Sequence, residues 1–110
     1  MVADHGQRFL ERCFTPHERG VCVGRANPAE HLAARFAAKE AILKALGTGW
    51  SGGVAWTDAE VITLPSGAPS VALHNMAARI ADERGIRAWL LSLTHAGGLA
   101  MASAIALGEA

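Results

Sequence analysis

Arg35, Lys39, Glu40 and Lys44 stand in a run otherwise made of Ala, Phe, Ile and Leu, and the run empties into Gly47-Thr48-Gly49. Cations four and five residues apart with a carboxylate among them suit a polyanionic ligand. Glu40 is a hard oxygen donor of the kind Mg²⁺ accepts, since Mg²⁺ sites typically use one or two carboxylates plus substrate phosphates, and Arg35, Lys39 and Lys44 can face phosphate oxygens. The same spacing also permits a plain salt bridge, because Glu before Lys at i, i+4 is worth ~0.2–0.5 kcal/mol on an exposed helix. Spacing alone does not choose between them. Leu32, Phe36, Leu43 and Leu46 recur at helical spacing as a buried stripe, which places Glu40 on or beside that stripe.

These residues need a helix to hold them. Asn27-Pro28-Ala29-Glu30 supplies a cap, a proline for the first turn and an acidic residue, and good helix formers continue to Leu46, with Gly47 as the stop. Thr15-Pro16-His17-Glu18 repeats the pattern and predicts a short helix limited by Gly20 and Gly24. Residues 47 to 57 are rich in glycine and read as a loop. Strands are predicted at Glu60–Leu64 and Ser70–His74 around a Pro65–Pro69 turn, and at Arg87–Thr94 and Leu99–Leu107 around Ala96-Gly97-Gly98, with a helix over Met76–Arg84 closed by Gly85. In the last strand Ala100, Ala102, Ala104 and Ala106 share one face, so a helix can approach it closely. The order of elements predicts one α+β domain over residues 1–110, with an antiparallel sheet packed against a long central helix.

Composition narrows the partners. Formal net charge is zero, so no nucleic-acid or membrane binding is expected from the overall field. No apolar run reaches the ~20 residues of a membrane span, and Asp4, His5 and Arg8 occupy the place of a signal peptide's apolar stretch, so a cytoplasmic protein is expected. Cys13 and Cys22 form no Cys-x-x-Cys pair, and the five histidines form no His-Glu-x-x-His motif, which argues against structural or hydrolytic zinc. The cysteines are expected to be reduced and packed as small apolar groups.

Arg35-Phe-Ala-Ala-Lys-Glu-Ala41, followed by Lys44-Ala-Leu-Gly-Thr-Gly49, resembles the signature of the holo-acyl-carrier-protein synthase family of 4′-phosphopantetheinyl transferases. Arg8–Arg12 with Phe14-Thr15-Pro16 resembles that family's early helix and turn, Gly67-Ala68-Pro69 its Gly-x-Pro turn, and Leu91-Ser92-Leu93-Thr94-His95 one of its strands. The resemblance implies Mg²⁺-dependent transfer of the 4′-phosphopantetheine arm of coenzyme A to a serine of apo-acyl carrier protein, releasing adenosine 3′,5′-bisphosphate, and a homotrimer. It implies Glu40 as metal ligand, Lys44 on the pyrophosphate, Gly47 and Gly49 where the cofactor meets backbone, Pro69 against adenine and His95 near the nucleotide phosphates. Arg35 and Lys39 would reach a phosphate. The family opens with a strand whose aspartate is a second metal ligand, and Ala3-Asp4-His5-Gly6 does not match it. A start placed too late or a naturally short protein would each account for this, and the intact remaining motifs favour the first. A non-catalytic module that binds coenzyme A or the carrier protein is the alternative.

Overall fold

The computed structural model describes residues 2–23, 28–48, 53–96 and 98–108. Helices α1 (Val2–Cys13), α2 (Pro16–Val23) and α3 (Pro28–Leu46) come first, followed by a short 3₁₀ turn at Trp56–Asp58. Strands β1 (Ala59–Thr63) and β2 (Pro69–Leu73), helix α4 (Asn75–Glu83) and strands β3 (Ile86–Ala96) and β4 (Leu99–Gly108) complete the chain.

The predicted cap of α2 is formed. The Glu18 amide donates to Thr15 Oγ1 at 3.1 Å and the Thr15 amide donates to Glu18 Oε1 at 2.9 Å, so two orphan amides at the helix start are satisfied reciprocally. The cap assigned to Asn27 lies outside the described residues, as do Gly24 and Gly49. At the far end of α3, Gly47 takes φ 92°. Its amide donates to Lys44 O at 3.0 Å and the Thr48 amide to Leu43 O at 3.3 Å. This left-handed closure suits glycine and stops the helix where predicted.

β1 and β2 pair antiparallel, each one residue earlier than predicted, from Ala59 opposite Leu73 to Thr63 opposite Pro69. β3 and β4 form a longer antiparallel hairpin. Among the described residues the antiparallel sheet is thus two separate two-stranded ladders, with β2 beside β3 and no strand ladder joining them.

Helix α3 lies across β3 and β4. The register explains the fit: Trp89, Leu91 and Leu93 of β3 stand opposite Ala106, Ala104 and Ala102 of β4, so large and small side chains alternate across the face that meets the helix. Ile42, Leu43 and Leu46 of α3 join Val61, Ala59, Ala77 and Ala81 in the core. Fully burying a side chain such as Ile42 or Leu46 is worth about 1.5–3 kcal/mol. Cys13 and Cys22 are buried and not joined in a disulfide.

Candidate active site

The buried face of α3 shares only Leu43 and Leu46 with the stripe predicted. It consists of Ala34, Arg35, Ala38, Lys39, Ile42, Leu43 and Leu46, while Leu32 and Phe36 are half-buried and Glu40 is exposed. Arg35 and Lys39, four apart, therefore point inward together, one turn before Ile42 and Leu43. Counting apolar residues alone hid this, because two cations belong to the inner face.

Lys39 is fully buried, which corrects its assignment to a phosphate. Its ammonium pairs with Glu18 Oε1 at 2.7 Å and donates to Ala59 O at 2.8 Å. Glu18 is also fully buried, and its other oxygen accepts from the Val61 amide at 2.8 Å. Burial pulls the Lys39 pKa down, and the Glu18 carboxylate opposes that shift. The cap residue of α2 is thus the counter-ion of α3 and also ties both helices to β1. Thr15 extends the network by donating its hydroxyl to Glu60, whose other oxygen accepts from His74 Nε2 at 2.9 Å. Burial pushes the Glu60 carboxyl up, but the hydrogen bonds with Thr15 and His74 outweigh it and hold the group below the ordinary glutamate range.

Three of the predicted ligand residues meet in one cavity of about 210 Å³ lined by His31, Ala34, Arg35, Val61, Thr63, Gly67, Pro69, Leu93 and His95. Arg35 comes from α3, Pro69 from the turn into β2 and His95 from the end of β3. Arg35 is only 8% exposed, and its Nε is buried without a hydrogen-bond partner. An unsatisfied buried donor costs about 1–3 kcal/mol, more for a charged group, so the cavity favours an acceptor.

Glu40 and Lys44 stand outside this cavity, exposed further along α3, and no salt bridge joins them among the described residues. At the helical rise, Glu40 lies roughly 7 Å and Lys44 roughly 13 Å along the axis from Arg35. Gly47 follows at once, and Arg84 of the α4 C-cap donates to Leu46 O and lies over Gly47, where any Cβ would collide with its guanidinium. Sequence reasoning did not find Glu18, Glu60 or Arg84 as partners. Only Glu18 carried a signal, as the acidic member of the capping box.

An α+β fold with a guanidinium and two imidazoles lining a cavity, and a carboxylate and a lysine exposed beyond it on one helix, has the donors that an extended polyanion would need. A family model described as the 4′-phosphopantetheinyl transferase superfamily matches residues 1–102. A holo-acyl-carrier-protein synthase of Desulforudis audaxviator is 55% identical over 103 residues, covering 94% of this chain and 78% of that protein. The crystal structure of the Neisseria meningitidis holo-acyl-carrier-protein synthase superposes with TM-score 0.85 at 31% identity, covering 96% of this chain and 84% of that one. The Helicobacter pylori enzyme, crystallised in complex with coenzyme A, superposes with TM-score 0.81 at 28% identity over 96% of this chain and 87% of its own. The chain belongs to the holo-acyl-carrier-protein synthase family of 4′-phosphopantetheinyl transferases. The binding-module alternative gains no support from these relatives.

Proposed function

We propose that this enzyme transfers the 4′-phosphopantetheine group of coenzyme A to a serine hydroxyl of apo-acyl carrier protein, with Mg²⁺, releasing adenosine 3′,5′-bisphosphate. The serine hydroxyl gives up its proton to solvent as its oxygen bonds to the phosphorus that carries the pantetheine arm, the bond from that phosphorus to the bridging oxygen breaks, and the nucleotide leaves with the electron pair. The observation that carries the reading is the unsatisfied, buried Arg35 Nε in a cavity shared with Pro69 and His95. Coenzyme A in the Helicobacter pylori relative supports it.

Pro69 offers the adenine an apolar surface, and Arg35 and His95 offer donors to the nucleotide phosphates. Lys44 meets the pyrophosphate about two and a half turns beyond Arg35 along α3, which suits an extended ligand. Gly49, beyond the described residues, would let a ligand approach backbone, whereas the side of Gly47 that its missing Cβ leaves open is taken by the Arg84 guanidinium. Glu40 fits a Mg²⁺ ligand: its carboxylate is exposed, is not engaged by Lys44, and a single protein carboxylate with phosphate oxygens is an ordinary donor set for this ion. When bound, the ion would withdraw charge from the pyrophosphate oxygens. Glu40 would hold it in place, Lys44 would offset charge on the leaving phosphate, and the cavity, by holding the nucleotide end, would help align the phosphorus for the incoming hydroxyl.

The assembly we propose is a homotrimer. Leu90, Leu99, Met101, Ile105 and Leu107, all exposed, share the outer side of the β3–β4 hairpin, an apolar surface suited to burial between copies. A cytoplasmic location is proposed with it, and among the described residues no helix is long and apolar enough to cross a membrane.

Calorimetric titration with coenzyme A tests the site. Tight binding that strengthens with Mg²⁺ in the native protein, and loses its Mg²⁺ dependence in Glu40→Gln, is expected; equal Mg²⁺ dependence in both would remove Glu40 from the metal site.

A further inference from the structure

His95 is not alone at the mouth of the cavity. Its Nδ1 lies 3.2 Å from Glu30 Oε2, and the His31 ring meets it edge-on, with centroids 4.9 Å apart and planes at 77°. Glu30 sits in the first turn of α3 and does not line the cavity, whereas His31, Arg35 and His95 do. The His95 ring is therefore held from behind by a carboxylate while it faces a space that also contains a guanidinium.

We propose that Glu30 is a positioning residue for His95: it keeps Nδ1–H turned toward its carboxylate and sustains the imidazolium form, so that Nε2–H donates to a phosphate oxygen of a nucleotide in the cavity. The inference rests on the nucleotide reading of the cavity given above. Phosphate oxygens only accept, and a neutral imidazole has one donor. With Nδ1–H committed to Glu30, the ring can serve phosphate only when both nitrogens are protonated. Arg35 lines the same cavity and repels that second cation, and His31 adds no negative charge; Glu30 is the carboxylate that offsets the repulsion. A carboxylate behind a ligand-facing histidine, fixing its orientation and proton, is the same device that orients histidines at metal sites.

The test uses the full chain and adenosine 3′,5′-bisphosphate as probe. Binding is measured by calorimetry for the native protein, Glu30→Ala, Glu30→Gln, His95→Ala and the double variant Glu30→Ala/His95→Ala, and the ¹⁵N shifts of the His95 ring are recorded in the saturated complexes near neutral pH. Both ring nitrogens are expected to be protonated in the native complex and one in either Glu30 variant. Glu30→Ala is expected to weaken binding about 10-fold, the difference between a charge-assisted and a neutral hydrogen bond. It is expected to have no further effect once His95 is gone. Circular dichroism establishes that each variant folds, and if Glu30→Ala does not, the ring spectrum of Glu30→Gln decides. If His95→Ala binds as tightly as the native protein, the nucleotide reading of His95 falls and takes this inference with it. If His95→Ala binds weakly while the Glu30 variants keep native affinity and a doubly protonated ring, the inference alone is overturned.

Discussion

Among the charged residues of α3, neighbours in sequence do opposite work. Lys39 is buried against Glu18, and Glu40, the next residue, is exposed. Lys39→Met leaves Glu18 as an uncompensated buried charge, for which a loss of about 3–5 kcal/mol in denaturant unfolding is expected; adding Glu18→Gln should recover part of it. Lys44 is exposed and outside the core, so Lys44→Ala should leave the unfolding midpoint unchanged while lowering kcat/KM about 100-fold, read with coenzyme A as the varied substrate. Glu60 gives a pH signature. Its carboxyl is held low in the folded state, so its contribution to stability is complete above the ordinary glutamate pKa near ~4.3 and is lost as pH falls through the folded value. Glu60→Gln should flatten that acid limb of an unfolding-against-pH curve. Sequence made Glu40, Lys44 and Gly47 visible as candidates because an acid, a base and a helix stop at close spacing are local facts. It could not show that Lys39 turns inward, since its partner lies 21 residues earlier on another helix.

Elements were more legible than contacts. The reciprocal Thr15–Glu18 cap, the Gly47 closure and the turn between β1 and β2 are decided by nearby residues, and they occur where the sequence predicts or within one or two positions. The inner face of α3 was misjudged for a physical reason: a long aliphatic cation can be buried when a carboxylate awaits it, and apolar periodicity does not register such a residue. The alternating alanines of β4 were a better guide. Ala104 stands opposite Leu91 and packs against the core that α3 completes. Ala104→Leu should overfill this contact and cost about 1–3 kcal/mol by denaturant unfolding, and a neutral result would mean that the helix and hairpin are not closely apposed.

For the molecule as a whole, distant segments converge on one cavity. Arg35, Pro69 and His95 lie on a helix, a turn and a strand end, and no spacing rule joins them; family resemblance supplied the grouping and the fold supplies the geometry. The apolar outer face of the β3–β4 hairpin belongs to the same scale. If copies cover it, Met101→Asp with Ile105→Asp should reduce the mass measured by light scattering from a trimer to a monomer, whereas an unchanged mass would place the interface elsewhere. The central claim is group transfer from coenzyme A, and mass spectrometry of apo-acyl carrier protein after incubation with this chain, coenzyme A and Mg²⁺ tests it most directly. The account predicts carrier protein heavier by one phosphopantetheine group, with no gain when Glu40→Gln replaces the native chain; carrier protein of unchanged mass with the native chain would contradict it.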